Sequence, residues 1–250
     1  MCTKHLKILL TKTGSHLPIF RKDDKSVLFI HIPKTAGTSI ETAFENSGWT
    51  LEHFHAPARG HGPDKKPCNP QHWHQPLLSK HIYQPTGRLF YEFTVVRNPF
   101  TRMISEFLWK DNSVSGLVST SGFDDQFFTR LEKFGITNMR KQLTVSADYN
   151  SAPVDFIKRG KKFHADNHWC PQVEYFRGTT RRYKYENLQS VIWPDLKTKF
   201  DLDILTQQYT KVELKKSRPE YHDGFSDTFK DLYTELYKQD HKVLDYPLPF

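Results

Sequence analysis

The chain has 250 residues, of which 37% are hydrophobic and 14% aromatic, and its formal net charge is +8 at pH 7. That length suits one sizeable α/β domain, and the 19 Phe and 11 Tyr argue for a packed core and against disorder. The three scattered cysteines, Cys2, Cys68 and Cys170, exclude a disulfide scaffold, and no run approaches the ~18–20 apolar residues of a membrane-spanning helix.

The pI near 9.2 and a mean hydropathy of −0.66 suit an anionic partner: a nucleic acid, an acidic glycan or a charged nucleotide. Basicity does not choose among them. Met1–Leu10 hold one short apolar patch and no signal-peptide core, so a cytoplasmic location is expected. Residues 1–26 read as a polar, basic approach to the first strand.

Val27–Ile32 is an apolar, β-branched run of strand length that breaks at Pro33. A helix is predicted from Thr38 or Ser39, both good N-caps, with Ile40, Ala43 and Phe44 on one face and Gly48 as its C′ residue. Strand, tight loop and helix together make an anion site from backbone N–H groups and a helix N-terminus. Lys34, Thr35, Ala36, Gly37, Thr38 and Ser39 are its expected contacts. Gly37 permits close approach of the backbone, Lys34 adds a mobile charge, and Thr35, Thr38 and Ser39 add hydroxyl donors. The loop is not a Walker A motif, because Lys34 precedes the only glycine by three residues.

Trp49–Phe54 fits a short strand, residues 55–70 a long loop, and Gln75–Tyr83 a short helix. Between the last two lies Gln71-His-Trp-His-Gln75, whose imidazoles can take a proton near neutral pH. A metal reading competes, since His53, His55, His61, His72, His74 and His81 crowd near Cys68, although zinc sites usually use tighter ligand blocks.

Leu89–Val96 is the second clear strand and ends at Arg97-Asn-Pro-Phe. A helix follows through Met103, Ile104, Phe107 and Leu108, with Ser105 about two turns in. A strand-end guanidinium with a helical hydroxyl suits a phosphate. Asn112–Gly122 reads as a Ser/Gly-rich loop and Phe123–Phe134 as a helix. Residues 136–180 show no clear period, Arg181–Tyr185 fits a strand, and residues 225–240 form a plain amphipathic helix. This order predicts an α/β fold, a P-loop-like, mostly parallel sheet flanked by helices, with ligands beyond the strands' carboxyl ends.

His31-Ile-Pro-Lys-Thr-Ala-Gly-Thr-Ser39 resembles the 5′-phosphosulfate loop of sulfotransferases that use 3′-phosphoadenosine-5′-phosphosulfate (PAPS). It is most similar to the carbohydrate-type branch that contains heparan sulfate 2-O-sulfotransferase. Thr94-Val-Val-Arg97 through Ser105 resembles the segment whose Arg and Ser clamp the 3′-phosphate of PAPS. The His-x-His pair resembles the family's histidine pair, which implies His74 as general base and His72 as its helper or an acceptor contact. His168-Trp-Cys-Pro-Gln172 resembles a string common in this branch, implying a part for His168 and Trp169 in the acceptor or sulfate pocket; a buried aromatic turn reads equally well. Arg181–Leu188 resembles the family's Arg-Tyr-Glu-Asp-Leu segment with Asn187 in place of Asp, and Tyr237–Tyr246 its closing helix.

The resemblance covers 27–246 and implies a single sulfotransferase domain over 1–250. It also implies transfer of a sulfuryl group to a hydroxyl of a glycan or small natural product, no metal, and neither nucleic acid nor membrane as partner. A small-molecule kinase with a degenerate P-loop and a non-catalytic polyanion-binding protein are the alternatives.

Overall fold

The computed structural model describes residues 19–52, 91–110, 118–119, 122–123, 125–152, 156, 167–203 and 224–250. Strands β1 (Ile19–Lys22), β2 (Lys25–Ile30), β3 (Thr50–Glu52), β4 (Tyr91–Val96) and β5 (Arg181–Lys184) form one open sheet in the order β3-β1-β2-β4-β5. The α-helices are α1 (Gly37–Asn46), α2 (Pro99–Lys110), α3 (Asp125–Ser151), α4 (Trp193–Phe200) and α5 (Asp227–Leu244). The chain is thus α/β, an open five-stranded sheet with flanking helices. Two compact units contain these elements: Met1–Arg97 with Glu174–Leu205, and Asn98–Val173 with Thr206–Phe250.

In the first unit β2, β4 and β5 pair in parallel, as the strand-helix order predicts. β1 departs from that prediction. Ile19-Phe-Arg-Lys22 falls in the stretch read as a polar approach, yet it pairs antiparallel with both β2 and β3. Its two apolar residues are too few to show a period; burial of Ile19 and Phe20 against the sheet makes it a strand. Phe29 and Phe93 face each other in register with ring centroids 5.0 Å apart. Phe20 stacks on Phe44 of α1 at 4.1 Å, and Phe44 meets Phe200 of α4 at 5.4 Å. Burying each such ring contributes about 1.5–3 kcal/mol.

Helix α1 ends in a Schellman motif: Gly48 at φ 77° donates to Glu45 O, and Trp49 N–H donates to Phe44 O. Gly48 was predicted at that position. β2 stops at Ile30, which leaves His31 and Ile32 in the following turn.

The second unit is helical. α2, α3 and α5 bury Phe100, Phe107, Phe127, Phe229, Tyr233 and Tyr237 in one core. At Gly135 of α3 a Cβ would lie 2.7 Å from Phe229 Cε2, so the missing side chain makes room for that ring. α3 runs far past the predicted end at Phe134. Within the predicted Asn112–Gly122 loop, Val118–Ser119 pairs antiparallel with Gly122–Phe123. Among the described residues no helix is long and apolar enough to cross a membrane.

Candidate functional site

Because β2, β4 and β5 run in the same direction, their carboxyl ends open on one edge of the sheet. The Thr94 hydroxyl fastens two of them by donating to Ile30 O at 2.7 Å. Beyond β2 the chain turns through His31-Ile-Pro-Lys-Thr-Ala before α1 opens at Gly37. Thr35 is fully buried, and its hydroxyl donates to Ile32 O at 2.8 Å, so it serves the turn itself. Lys34 and Ala36 hold φ of 66° and 73°. That region costs a non-glycine residue about 1–3 kcal/mol and persists only where surrounding contacts enforce it.

The helix begins earlier than predicted. Ala36, not Thr38 or Ser39, is the N-cap, and no side chain caps the turn. The inward bond from Thr35 closes the loop early, and left-handed Ala36 presents its carbonyl to Ile40 N–H at 3.1 Å. The N–H groups of Gly37, Thr38 and Ser39 stand ahead of that first helical bond, at the positive end of the helix dipole. Thr38 is exposed, while Lys34, Ala36 and Ser39 are half-buried.

Behind the turn His31 and Glu41 are buried and joined from Nδ1 to Oε1 at 2.7 Å. An ionised carboxylate only accepts, so Nδ1 carries the proton. Sequence reasoning assigned neither residue a role; ten positions and a turn separate them.

Arg97 leaves β4 one residue after Val96, which pairs with Lys184 of β5, so Arg97 and Tyr185 emerge side by side. The guanidinium lies over the Tyr185 ring at 4.4 Å and donates to Lys34 O at 3.4 Å. It is 8% exposed. A strand-end cation is thereby bonded to the phosphate-type turn within one unit. Tyr185, to which the sequence assigned no role of its own, is a platform for that cation; only the strand register could have marked it.

Ser105 lies half-buried on α2 in the second unit. There the His168-Trp-Cys-Pro-Gln172 segment is tightly tied. Arg102, buried, donates to His168 O at 3.3 Å and Cys170 O at 2.7 Å. His168 Nδ1 meets Glu106 Oε2 at 2.6 Å, and the imidazole stacks on Trp109. Trp169 is 2% exposed, with its ring against Phe134 and its carbonyl accepting from Tyr237 OH at 3.0 Å. Asp240, wholly buried, accepts from the N–H groups of Gln172 and Val173 at 2.8 and 2.9 Å. Burial pushes the Asp240 carboxyl above the usual range, against the pull of Arg102 and those N–H bonds.

His72, His74 and the histidine-rich stretch around Cys68 lie outside the described residues, as do the predicted 55–70 loop and Gln75–Tyr83 helix. Among the described residues no three His, Cys, Asp or Glu gather to hold a metal ion.

An open, mixed sheet with parallel β2, β4 and β5, and with an uncapped strand-loop-helix turn to which a strand-end arginine is bonded, defines an α/β protein. A family model described as the sulfotransferase family matches residues 17–247, nearly the whole chain, and the chain belongs to that family. No match was found among curated proteins or among solved structures.

Proposed function

We propose that this sulfotransferase takes its sulfuryl group from PAPS and passes it to a hydroxyl of a carbohydrate or small-molecule acceptor. The observation that carries the reading is the turn after β2: an uncapped helix start, two non-glycine residues in left-handed backbone, and Arg97 bonded to the same turn. These residues fit a phosphosulfate. When bound, PAPS supplies a sulfuryl group activated as a phosphosulfate anhydride, with adenosine 3′,5′-bisphosphate as leaving group.

The N–H groups of Gly37, Thr38 and Ser39 hold the 5′-phosphosulfate, with the Thr38 and Ser39 hydroxyls beside them. Because the Thr35 hydroxyl is spent on Ile32 O, Thr35 and Ala36 contribute backbone alone. The Lys34 ammonium neutralises charge growing on the oxygen between sulfur and the departing phosphate. Arg97 and Ser105 read the 3′-phosphate. The acceptor oxygen would attack sulfur in line as the bond between sulfur and the bridging phosphate oxygen breaks and adenosine 3′,5′-bisphosphate leaves, with His74, helped by His72, taking the acceptor's proton. His168 touches the acceptor, and buried Trp169 fixes the turn that presents it.

The test is PAPS consumption against panels of glycans and small hydroxylated metabolites, with sulfated product detected. Transfer to one class, lost by ~10²–10⁴ in His74→Ala and indifferent to chelator, is the expected result. Mg²⁺-dependent ATP turnover without PAPS turnover would replace the reading with a kinase.

A further inference from the structure

We infer that His31 and Glu41 are positioning residues for the sulfuryl-donor site: their buried pair fixes the first turn of α1 against the end of β2, and so sets where Lys34 and the Gly37–Ser39 N–H groups stand. The inference deepens the PAPS reading and rests on it.

Three observations converge. His31 is the first residue past β2, on the same strand face as Phe29, whose ring lies 5.5 Å from the imidazole. Its Nδ1 donates to Glu41, and its Nε2 edge fills the space a Cβ on Gly37 would occupy, 1.9 Å from that position. Gly37 and Glu41 are four apart on α1 and share one face. The ring therefore lies along a single helical turn, bonded at one end and packed at the other.

Between the anchored ends run the five residues 32–36, with Lys34 and Ala36 in left-handed backbone. Such a turn keeps its shape only if both ends are held. Glu41 is 1% exposed and His31 5%. An apolar pair would fill that space without the desolvation of a carboxylate, so the polar pair is explained by the geometry it imposes. Gly37 also acquires its requirement: a methyl there strikes the ring that locates the helix.

Glu41→Gln keeps an acceptor for Nδ1–H, whereas Glu41→Leu keeps volume alone. By calorimetry, Glu41→Gln should bind adenosine 3′,5′-bisphosphate within about threefold of wild type, and Glu41→Leu should lose at least about tenfold. With an acceptor in hand, Glu41→Leu should lower kcat more than it raises the acceptor KM. A folded Glu41→Leu that binds like wild type, or a Glu41→Gln as weak as Glu41→Leu, overturns the inference.

Should Glu41→Leu fail to fold, the Gly37 series decides. Gly37→Ala should lose at least about tenfold in a His31 background and less than about threefold when added to His31→Ala, because the clash is gone. Equal losses in both backgrounds would overturn the inference. A wild type that does not prefer the bisphosphate to ADP removes the PAPS reading instead. In that case hydrogen exchange at the Thr38–Ile40 amides, faster in Glu41→Leu than in Glu41→Gln, still tests the clamp alone.

Discussion

The turn after β2 and the turn at 167–174 are similarly rich in polar groups but dispose of them in opposite ways. In the second, protein partners absorb the backbone: Arg102 takes the carbonyls of His168 and Cys170, Tyr237 takes that of Trp169, and Asp240 takes the N–H groups of Gln172 and Val173. Asp240 sits at the start of a short 3₁₀ turn, Gln172–Glu174, where it plays the part of a resident anion. In the first, α1 starts without any side-chain cap, Lys34 belongs to the turn, and Arg97 donates to its carbonyl. One turn has a carboxylate on its N–H groups, and the other opens a helix that no side chain caps. Motif spelling alone does not separate the two; burial and the sign of the neighbouring charge do.

The largest effect that would sharpen this contrast is on turnover. Lys34→Ala should lower kcat by ~10²–10³ with a smaller change in bisphosphate affinity, since the ammonium acts most strongly as negative charge develops on the leaving phosphate. Wild-type turnover in that variant would make the β2 turn as structural as the 167–174 turn.

Next in size, Asp240→Ala should cost about 1–3 kcal/mol for each orphaned N–H, seen as a lower denaturant midpoint at unchanged slope. Added formate should recover part of the loss by entering the vacated place. An unchanged midpoint would show that the 167–174 turn does not need its internal anion.

The smallest effect is a pH dependence in α5. His241 is 3% exposed; burial holds its pKa below the usual value against the upward pull of the Tyr246 carbonyl, and Nε2 bonds the Tyr233 hydroxyl at 2.7 Å. The unfolded chain therefore takes up the proton first, and stability falls as pH drops through ~6.5. His241→Gln should flatten the melting temperature between pH 7.5 and 5.5 relative to wild type. An equal slope in both proteins would assign the dependence to other groups.

Local signals in the sequence located the parts of the fold that local chemistry decides. The apolar run expected as a strand over Val27–Ile32 and left-handed Gly48 each act within a few residues; Gly48 stands as expected, and the strand forms but ends at Ile30, two residues short of Ile32. β1 did not show, because Ile19 and Phe20 become a strand only through pairing with Leu28 and Val27. The length of α3 was hidden for another reason. Its buried stripe runs Phe127, Leu131, Gly135, Met139, Gln142, so a glycine and a glutamine interrupt the apolar count. The loop residues of the candidate site were legible as a string, whereas the Glu41 tether and the Tyr185 platform under Arg97 depend on contacts across a turn and across 88 positions.

The most direct test of the central claim, that the β2 turn and Arg97 receive a nucleotide with a 3′-phosphate, is calorimetric titration with adenosine 3′,5′-bisphosphate and with ADP. The bisphosphate should bind at least about tenfold more tightly, because ADP leaves the donors for the 3′-phosphate unpaired, and Arg97→Ala should erase most of the difference. Equal affinities of the wild type for the two nucleotides would contradict the account.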